Sequence, residues 1–504
     1  MVNGQWSMIN RLVDYDLVVI GSSYEGIYAA ERANSLKARV ALVTQSGEPY
    51  LPSYHSILNQ SFREITRFIN QLQDNIWGID PKSVGIEQIN LADINYWHQS
   101  IQERLQAEHS WERLAAAGVD VIFGKGEFCR LPKQAFLVGN RKLRSRKYLI
   151  TTSAKSVIHP IVGGDRENCF SIDDLWQNNC LANLPQRITI IGSSPRSLEL
   201  AQGLAKLNKQ ISLVIPNTRI LPEEDIKVAQ LIQAQLTADG IEIFTHATIT
   251  KITESDNQKI INLENRSLET DAIIFTDEYE INVSGLNLQG VGVKYQASGI
   301  AVNHKFQTTN KDIYACGNVI GDLKSSTICC HEANIALQNI LFFSRWYQTA
   351  YGWKKSTPAK NYLPQAIFTH PSFARVGMNK TEAIRDYGED IYIIKEYFKT
   401  IAQAQISGQT TGWCELILRP NGQIIGCTII GDRAEELIST MAVMMQYKIK
   451  LNRNPQSRLL QVNIPTVSPS FAEILQRVVE RFYQEKLQRD RKLITRFVLL
   501  FSQN

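Results

Sequence analysis

Residues 15–30 read Y-D-L-V-V-I-G-S-S-Y-E-G-I-Y-A-A. Leu17, Val18, Val19 and Ile20 form a continuous apolar run, the pattern of a parallel strand buried on both faces. Gly21 ends that run, and Gly26 stands where a following helix must pack close to the strand. The spacing is that of the dinucleotide fingerprint G-x-G-x-x-G, with Ser23 in place of the middle glycine. In such a turn the first glycine permits the sharp bend and the middle one lets the backbone approach a pyrophosphate. The pyrophosphate then rests on the free N–H groups at the positive end of the helix. The turn through Ser22 and Ser23 therefore reads as a phosphate cradle carrying an extra hydroxymethyl group. Either a ligand sits slightly further out, or the Ser23 hydroxyl itself donates to a phosphate. The run R-V-A-L-V at 39–43 reads as the second strand. At its end, where an acid would hold a ribose, stands Thr44, which can hydrogen-bond a sugar without a charge-assisted bond.

The same unit recurs. Residues 187–200 read R-I-T-I-I-G-S-S-P-R-S-L-E-L, again an apolar strand, a Gly-Ser-Ser turn and a helix. Its fingerprint positions are Gly192, Ser194 and Ser197, and Pro195 at the helix start has no N–H to offer a phosphate. A strand at 211–215 follows, then R-I-L-P-E-E-D at 219–225, a helix to about 239 and a strand at 241–244. Two such units in one chain point to a protein built to hold two nucleotides. Between them, helices are expected around 57–72 and 94–117, with short strands at 119–123, 135–138 and 148–151.

The order of these segments resembles the flavin-dependent pyridine nucleotide–disulfide oxidoreductases. Three further stretches carry the resemblance: R-I-L-P-E-E-D itself, D-I-Y-A-C-G-N-V at 312–319, and I-F-T-H-P at 367–371 with A-R-V-G at 374–377. The run G-C-T-I-I-G at 426–431 with E-E-L-I at 435–438 fits the same family's dimerisation domain. The resemblance implies an α/β chain with two Rossmann-like domains, for FAD and NAD(P), plus an α+β C-terminal dimerisation domain. The expected segments are an FAD domain at 1–152 and 279–350, an NAD(P)-binding-like domain at 153–278, and an interface domain at 360–475. A basic amphipathic extension would follow at 476–504. FAD would be held by Gly21, Ser22, Ser23, Gly26 and Thr44, and by Gly317 and Asn318, the last in place of an aspartate that bonds the ribityl chain. NAD(P)H would lie on Gly192 and Ser194, with Glu199 near the nicotinamide ring.

The departures from the family bear on chemistry. Family members pass electrons to a C-x4-C disulfide, and a histidine of the other subunit acts as base. Residues 47–62 contain no cysteine: Glu48 and Ser53 stand at the expected positions if Ser56 is the serine that follows the pair. Ser468 stands where the base histidine would be, before Pro469 and Glu473, and an ordinary hydroxyl is no base near neutral pH. Where the family has the glycines of its A-T-G loops, this chain has Ser153 and Asp277. Asp277 and Glu278 would set two negative charges against an anionic nucleotide. No catalytic residue is assigned.

Two readings follow. One is a homodimeric, FAD-dependent oxidoreductase passing electrons from NAD(P)H through flavin to a small non-disulfide acceptor. The other is a catalytically degenerate member acting as a flavin-binding or scaffold protein. Composition excludes other classes. With 54 basic against 49 acidic residues, no nucleic-acid partner is indicated, and no apolar run is long enough for a membrane span. The start of the chain lacks the pattern of a secretion signal, so a cytoplasmic location is expected. The eight cysteines form no C-x-x-C pair and read as reduced thiols; no His/Cys spacing implies a metal. His55, His98 and His109 read as structural. The tail carries Arg481, Lys486, Arg489, Arg491, Lys492 and Arg496 beside apolar residues, either a helix packed on the dimer or a segment at 481–501 meeting a membrane surface.

Overall fold

The structure is a computed structural model. It describes residues 13–45, 60, 64–65, 67–68, 91–108, 110–130, 133–158, 168–176, 180–255, 258–342, 362–451 and 464–501, the last with side chains to 489. The expected helix at 57–72 falls almost wholly outside the described residues, as do His55 and His109.

The elements that position the site, in chain order, are β1 (Tyr15–Ile20), α1 (Tyr24–Ser35), β2 (Val40–Thr44), β3 (Asp120–Phe123) and β4 (Ser145–Ile150). Then come β5 (Cys169–Ser171), β6 (Arg187–Ile191), α2 (Pro195–Lys206), β7 (Gln210–Val214), β8 (Glu242–Phe244) and β9 (Ala272–Phe275). They are followed by β10 (Ile313–Ala315), α3 (Ser326–Leu341), β11 (Gln365–Ile367) and β12 (Ser372–Gly377). The chain ends with β13 (Tyr392–Tyr397), β14 (Trp413–Leu418), β15 (Ile424–Gly431), α4 (Ala434–Gln446) and α5 (Glu473–Phe501).

The first sheet has the order β10-β4-β1-β2-β3, all parallel. Its centre is β1, whose last four residues are buried, as an apolar run flanked on both faces requires. Strand β10, contributed from far along the chain, closes its edge against β4. Helix α1 lies on this sheet with Ala29, Ala30 and Ala33 in one core with Ala333 and Ala336 of α3, small side chains that let the helices approach. The second sheet, β8-β7-β6-β9-β5, is also parallel throughout. The chain enters and leaves that second unit through adjacent strands, Ala154–Ser156 paired antiparallel with Tyr279–Ile281.

The third sheet, β11-β12-β15-β14-β13, is antiparallel. On it pack α4 and α5, the latter through Val478, Val479, Phe482 and Tyr483. The tail is thus built into this domain for at least its first turns. Arg481 pairs with Glu396 (2.8 Å), Arg489 with Asp390 (3.3 Å), and Lys486 donates to the Pro420 carbonyl (3.2 Å). These three bases are therefore each engaged with this domain. Among the described residues no helix is long and apolar enough to cross a membrane.

One expected helix is divided. Residues 94–117 form two helices, Leu91–Glu108 and Trp111–Ala117, because Ser110 caps the second by accepting from the Arg113 N–H (3.3 Å). At the crossing into the second unit, Ser153 has φ of 61°, in the left-handed region where a Cβ costs roughly 1 kcal/mol. Ser153→Gly is therefore expected to raise the stability by about 1 kcal/mol, read as a higher thermal midpoint. A lower midpoint would show that the serine side chain makes up for its strain.

Candidate functional site

The first turn begins at Gly21, with φ of 110°; a Cβ there would collide with the Thr151 carbonyl at the end of β4. The glycine is thus demanded by the crossing of β1 and β4 whatever the turn binds. Ser23 is the N-cap of α1, its Oγ accepting from the Gly26 N–H (3.4 Å). The Thr44 hydroxyl, fully buried, donates to Ser22 Oγ (2.7 Å), so Thr44 ties the two strand ends together. A cavity of about 230 Å³ opens beside the turn, lined by Gly21, Ser22, Ser23, Gln45, Ser153 and Lys155 among others.

The residue that sequence reading passed over is Glu25. It is the second residue of α1 and only 5% exposed, and its Oε1 has no hydrogen-bond partner among the described residues. Burial pushes its carboxyl up to about 7, against hydrogen bonds from its own N–H and the Ser23 hydroxyl that lower it. Nearby Glu332 raises it further and Lys324 lowers it. The carboxylate lies over Gly317, where any Cβ would collide with Glu25 Oε1. The Ser23 hydroxyl, expected either to hold a ligand further out or to donate to a phosphate, is engaged here by the helix cap and by Glu25.

Gly317 and Asn318 close this corner from α3's side. The Gly317 N–H donates to Glu332 Oε2 (3.0 Å), and Glu332 Oε1 pairs with Lys324 (3.1 Å). Asn318 Oδ1 accepts from the Lys324 N–H (2.9 Å), which shapes the loop into α3. Cys316, Cys329 and Cys330 lie around the same corner. Burial pushes the Cys330 thiol up to about 12 and raises the other two strongly, so none is a thiolate near neutral pH. None of the eight cysteines forms a disulfide.

The second turn is occupied differently. Asp277, at the end of β9, accepts from the Ser193 N–H (2.5 Å) and the Ser194 N–H (3.1 Å), and from the Ser197 hydroxyl (3.3 Å). Its carboxylate thus satisfies the donors of the Gly192–Ser194 turn from within the chain. Glu278 is exposed.

Glu199 sits on the face of α2 turned toward the C-terminal domain. Its Oε1 accepts from the Phe368 N–H (2.9 Å), and Gln202, three residues on, exchanges two hydrogen bonds with the His370 backbone (2.7 and 2.8 Å). The R-I-L-P-E-E-D loop makes a second link: Glu224 pairs with Arg375 (2.9 Å) and Asp225 accepts from Thr381 (3.0 Å). Between these links lies a cavity of about 520 Å³, walled by the second turn, Leu221–Glu224, Leu323–Ser325 and Gln365–Phe368. Its floor is apolar, from Leu221, Leu323, Ile328, Leu363 and Phe373.

Two parallel nucleotide-type sheets, one inserted in the other, followed by an antiparallel domain, define a two-dinucleotide oxidoreductase architecture. The comparisons place the chain within it. The family model described as pyridine nucleotide-disulphide oxidoreductase matches residues 15–335, and that family's dimerisation domain matches residues 363–474. The chain belongs to the pyridine nucleotide–disulfide oxidoreductase family. It is 25% identical over 453 residues to a mercuric reductase of Staphylococcus aureus, covering 88% of this chain and 79% of the relative. It is 29% identical over 342 residues to a dihydrolipoyl dehydrogenase of Bacillus subtilis, covering 65% and 71%. In fold it matches the HOCl-induced flavoprotein disulfide reductase RclA from Escherichia coli, with a TM-score of 0.75 at 22% identity over 92% of this chain and 99% of that one.

Members of this family bind FAD and use NAD(P)H, both of which carry a pyrophosphate. The two turns, as they stand, do not fit that group. Asp277 already takes the backbone donors of the second, and Glu25 brings a buried carboxyl to the helix end of the first.

Proposed function

We propose that the chain is a homodimeric, catalytically degenerate member of its family that serves as a binding or scaffold protein and performs no dithiol chemistry. The observation that carries this reading is Asp277. A nicotinamide nucleotide would have to displace an anion already hydrogen-bonded to Ser193 and Ser194, and to desolvate beside it. The absence of cysteine from 47–62 and Ser468 at the histidine position support the same reading.

The second reading, electron transfer from NAD(P)H through FAD to a small acceptor, keeps one supporting feature. The Gly21/Gly26 turn retains its packing and opens on a cavity. The visible spectrum of the purified dimer, before and after anaerobic NADH and NADPH, separates the two. No bleaching by either nucleotide is expected, together with no heat of NAD(P) binding by calorimetry. A yellow protein bleached by NADH or NADPH would overturn the degenerate reading, and the larger cavity would then be searched for its acceptor.

A further inference from the structure

We propose that Glu25 is a built-in anion that stands in for a dinucleotide's pyrophosphate in the first unit, so that flavin is excluded while its carboxyl is charged. The inference rests on the reading of the chain as degenerate and adds the device that closes the flavin side.

Three observations carry it. Glu25 sits at the second position of the 12-residue helix α1, where free N–H groups and the positive end of the helix attract an anion. Its carboxyl turns back on that end, drawing on its own N–H and the Ser23 hydroxyl, so it uses donors a phosphate would use. It is also wedged against Gly317, with Oε1 buried and without a hydrogen-bond partner among the described residues, which leaves little room for a diphosphate to pass from the turn to Asn318. The second unit carries its own carboxylate, placed differently: Asp277 accepts from the Ser193 and Ser194 N–H groups of the turn itself.

The groups facing Glu25 fix how its charge responds to pH. From α3 come Glu332, Cys329 and Cys330; from the β10 end comes Cys316; from the loop before α3 comes Lys324. Lys324 is held by Glu332 at 3.1 Å, and no cation pairs directly with Glu25 among the described residues. With a carboxyl at about 7, the neutral fraction falls roughly tenfold between about pH 6 and about pH 8. Flavin affinity should follow it.

The test is FAD uptake by full-length protein, read as flavin absorbance that co-elutes on gel filtration and as a dissociation constant by fluorescence quenching. Wild type is expected to elute without flavin at about pH 8 and to bind FAD about tenfold more tightly at about pH 6. Glu25→Gly should bind FAD at both values with the pH dependence lost. Glu25→Gln, neutral but bulky, should fall between. Wild type that purifies with stoichiometric flavin, or binds FAD equally at the two pH values, overturns the inference. So does a folded Glu25→Gly that gains nothing; if that variant does not fold, the wild-type pH series decides. None of these results depends on NAD(P)H, so they fail or succeed separately from the reading of the second unit.

Discussion

Glu25→Gln should stabilise the flavin-free protein at about pH 8 by about 3 kcal/mol and leave it nearly unchanged at about pH 4.5. The carboxyl's value rises from 4.5 in the unfolded chain to about 7 in the fold, chiefly through burial. A carboxyl raised that far costs about 3 kcal/mol once it is ionised in the fold. The sign follows from proton binding. Between 4.5 and 7 the folded state holds the proton and the unfolded state does not, so stability falls as pH rises through that window. Below it both states are protonated and no penalty remains; above it the full cost of a buried, under-bonded carboxylate applies. Glutamine keeps the shape, loses the titration, and offers an amide donor toward Glu332. Urea unfolding of both proteins across this range measures the difference. A constant gap between the two curves would show that Glu25 is not the strained group the geometry makes it.

That residue also marks the limit of what the sequence reveals. The parallel strands were legible because 17–20 and 188–191 are apolar without interruption, and burial on both faces has few other causes. The turn glycines were legible because their spacing follows from the close packing of strand and helix. Glu25 was not, because an acid in the first turn of a helix ordinarily reads as a favourable partner for the dipole. Only its burial against Gly317 and Glu332, some 300 residues away in sequence, changes its meaning. For Glu199 the sequence offered only a family position beside a nicotinamide; that its Oε1 accepts from the Phe368 N–H and that it lines the larger cavity required coordinates. Asp277 was legible as an unwelcome charge, since it stands at a strand end where a glycine is expected. That it hydrogen-bonds the opposing turn required coordinates.

Arg375→Ala is the second substitution with a large expected effect, a loss of about 3 kcal/mol. Arg375 lies on β12, 14% exposed, and reaches back to Glu224 in the second unit (2.9 Å), itself 10% exposed. Its Nη1 also donates to the Gly377 carbonyl (2.9 Å), so the guanidinium is fixed from both ends. Burial raises the Glu224 carboxyl, and Arg375 is the charge that offsets it. Removing the arginine leaves that carboxylate buried and unpaired, which is where the cost of breaking such a pair arises. Glu224→Ala in the same chain should recover part of the loss, because the orphaned charge leaves with it. A double-mutant cycle in urea gives the coupling between them. If the two single losses simply add, Arg375 and Glu224 act independently, and the link between the second unit and the C-terminal domain rests on the other contacts, among them Glu199 with Phe368, Gln202 with His370 and Asp225 with Thr381.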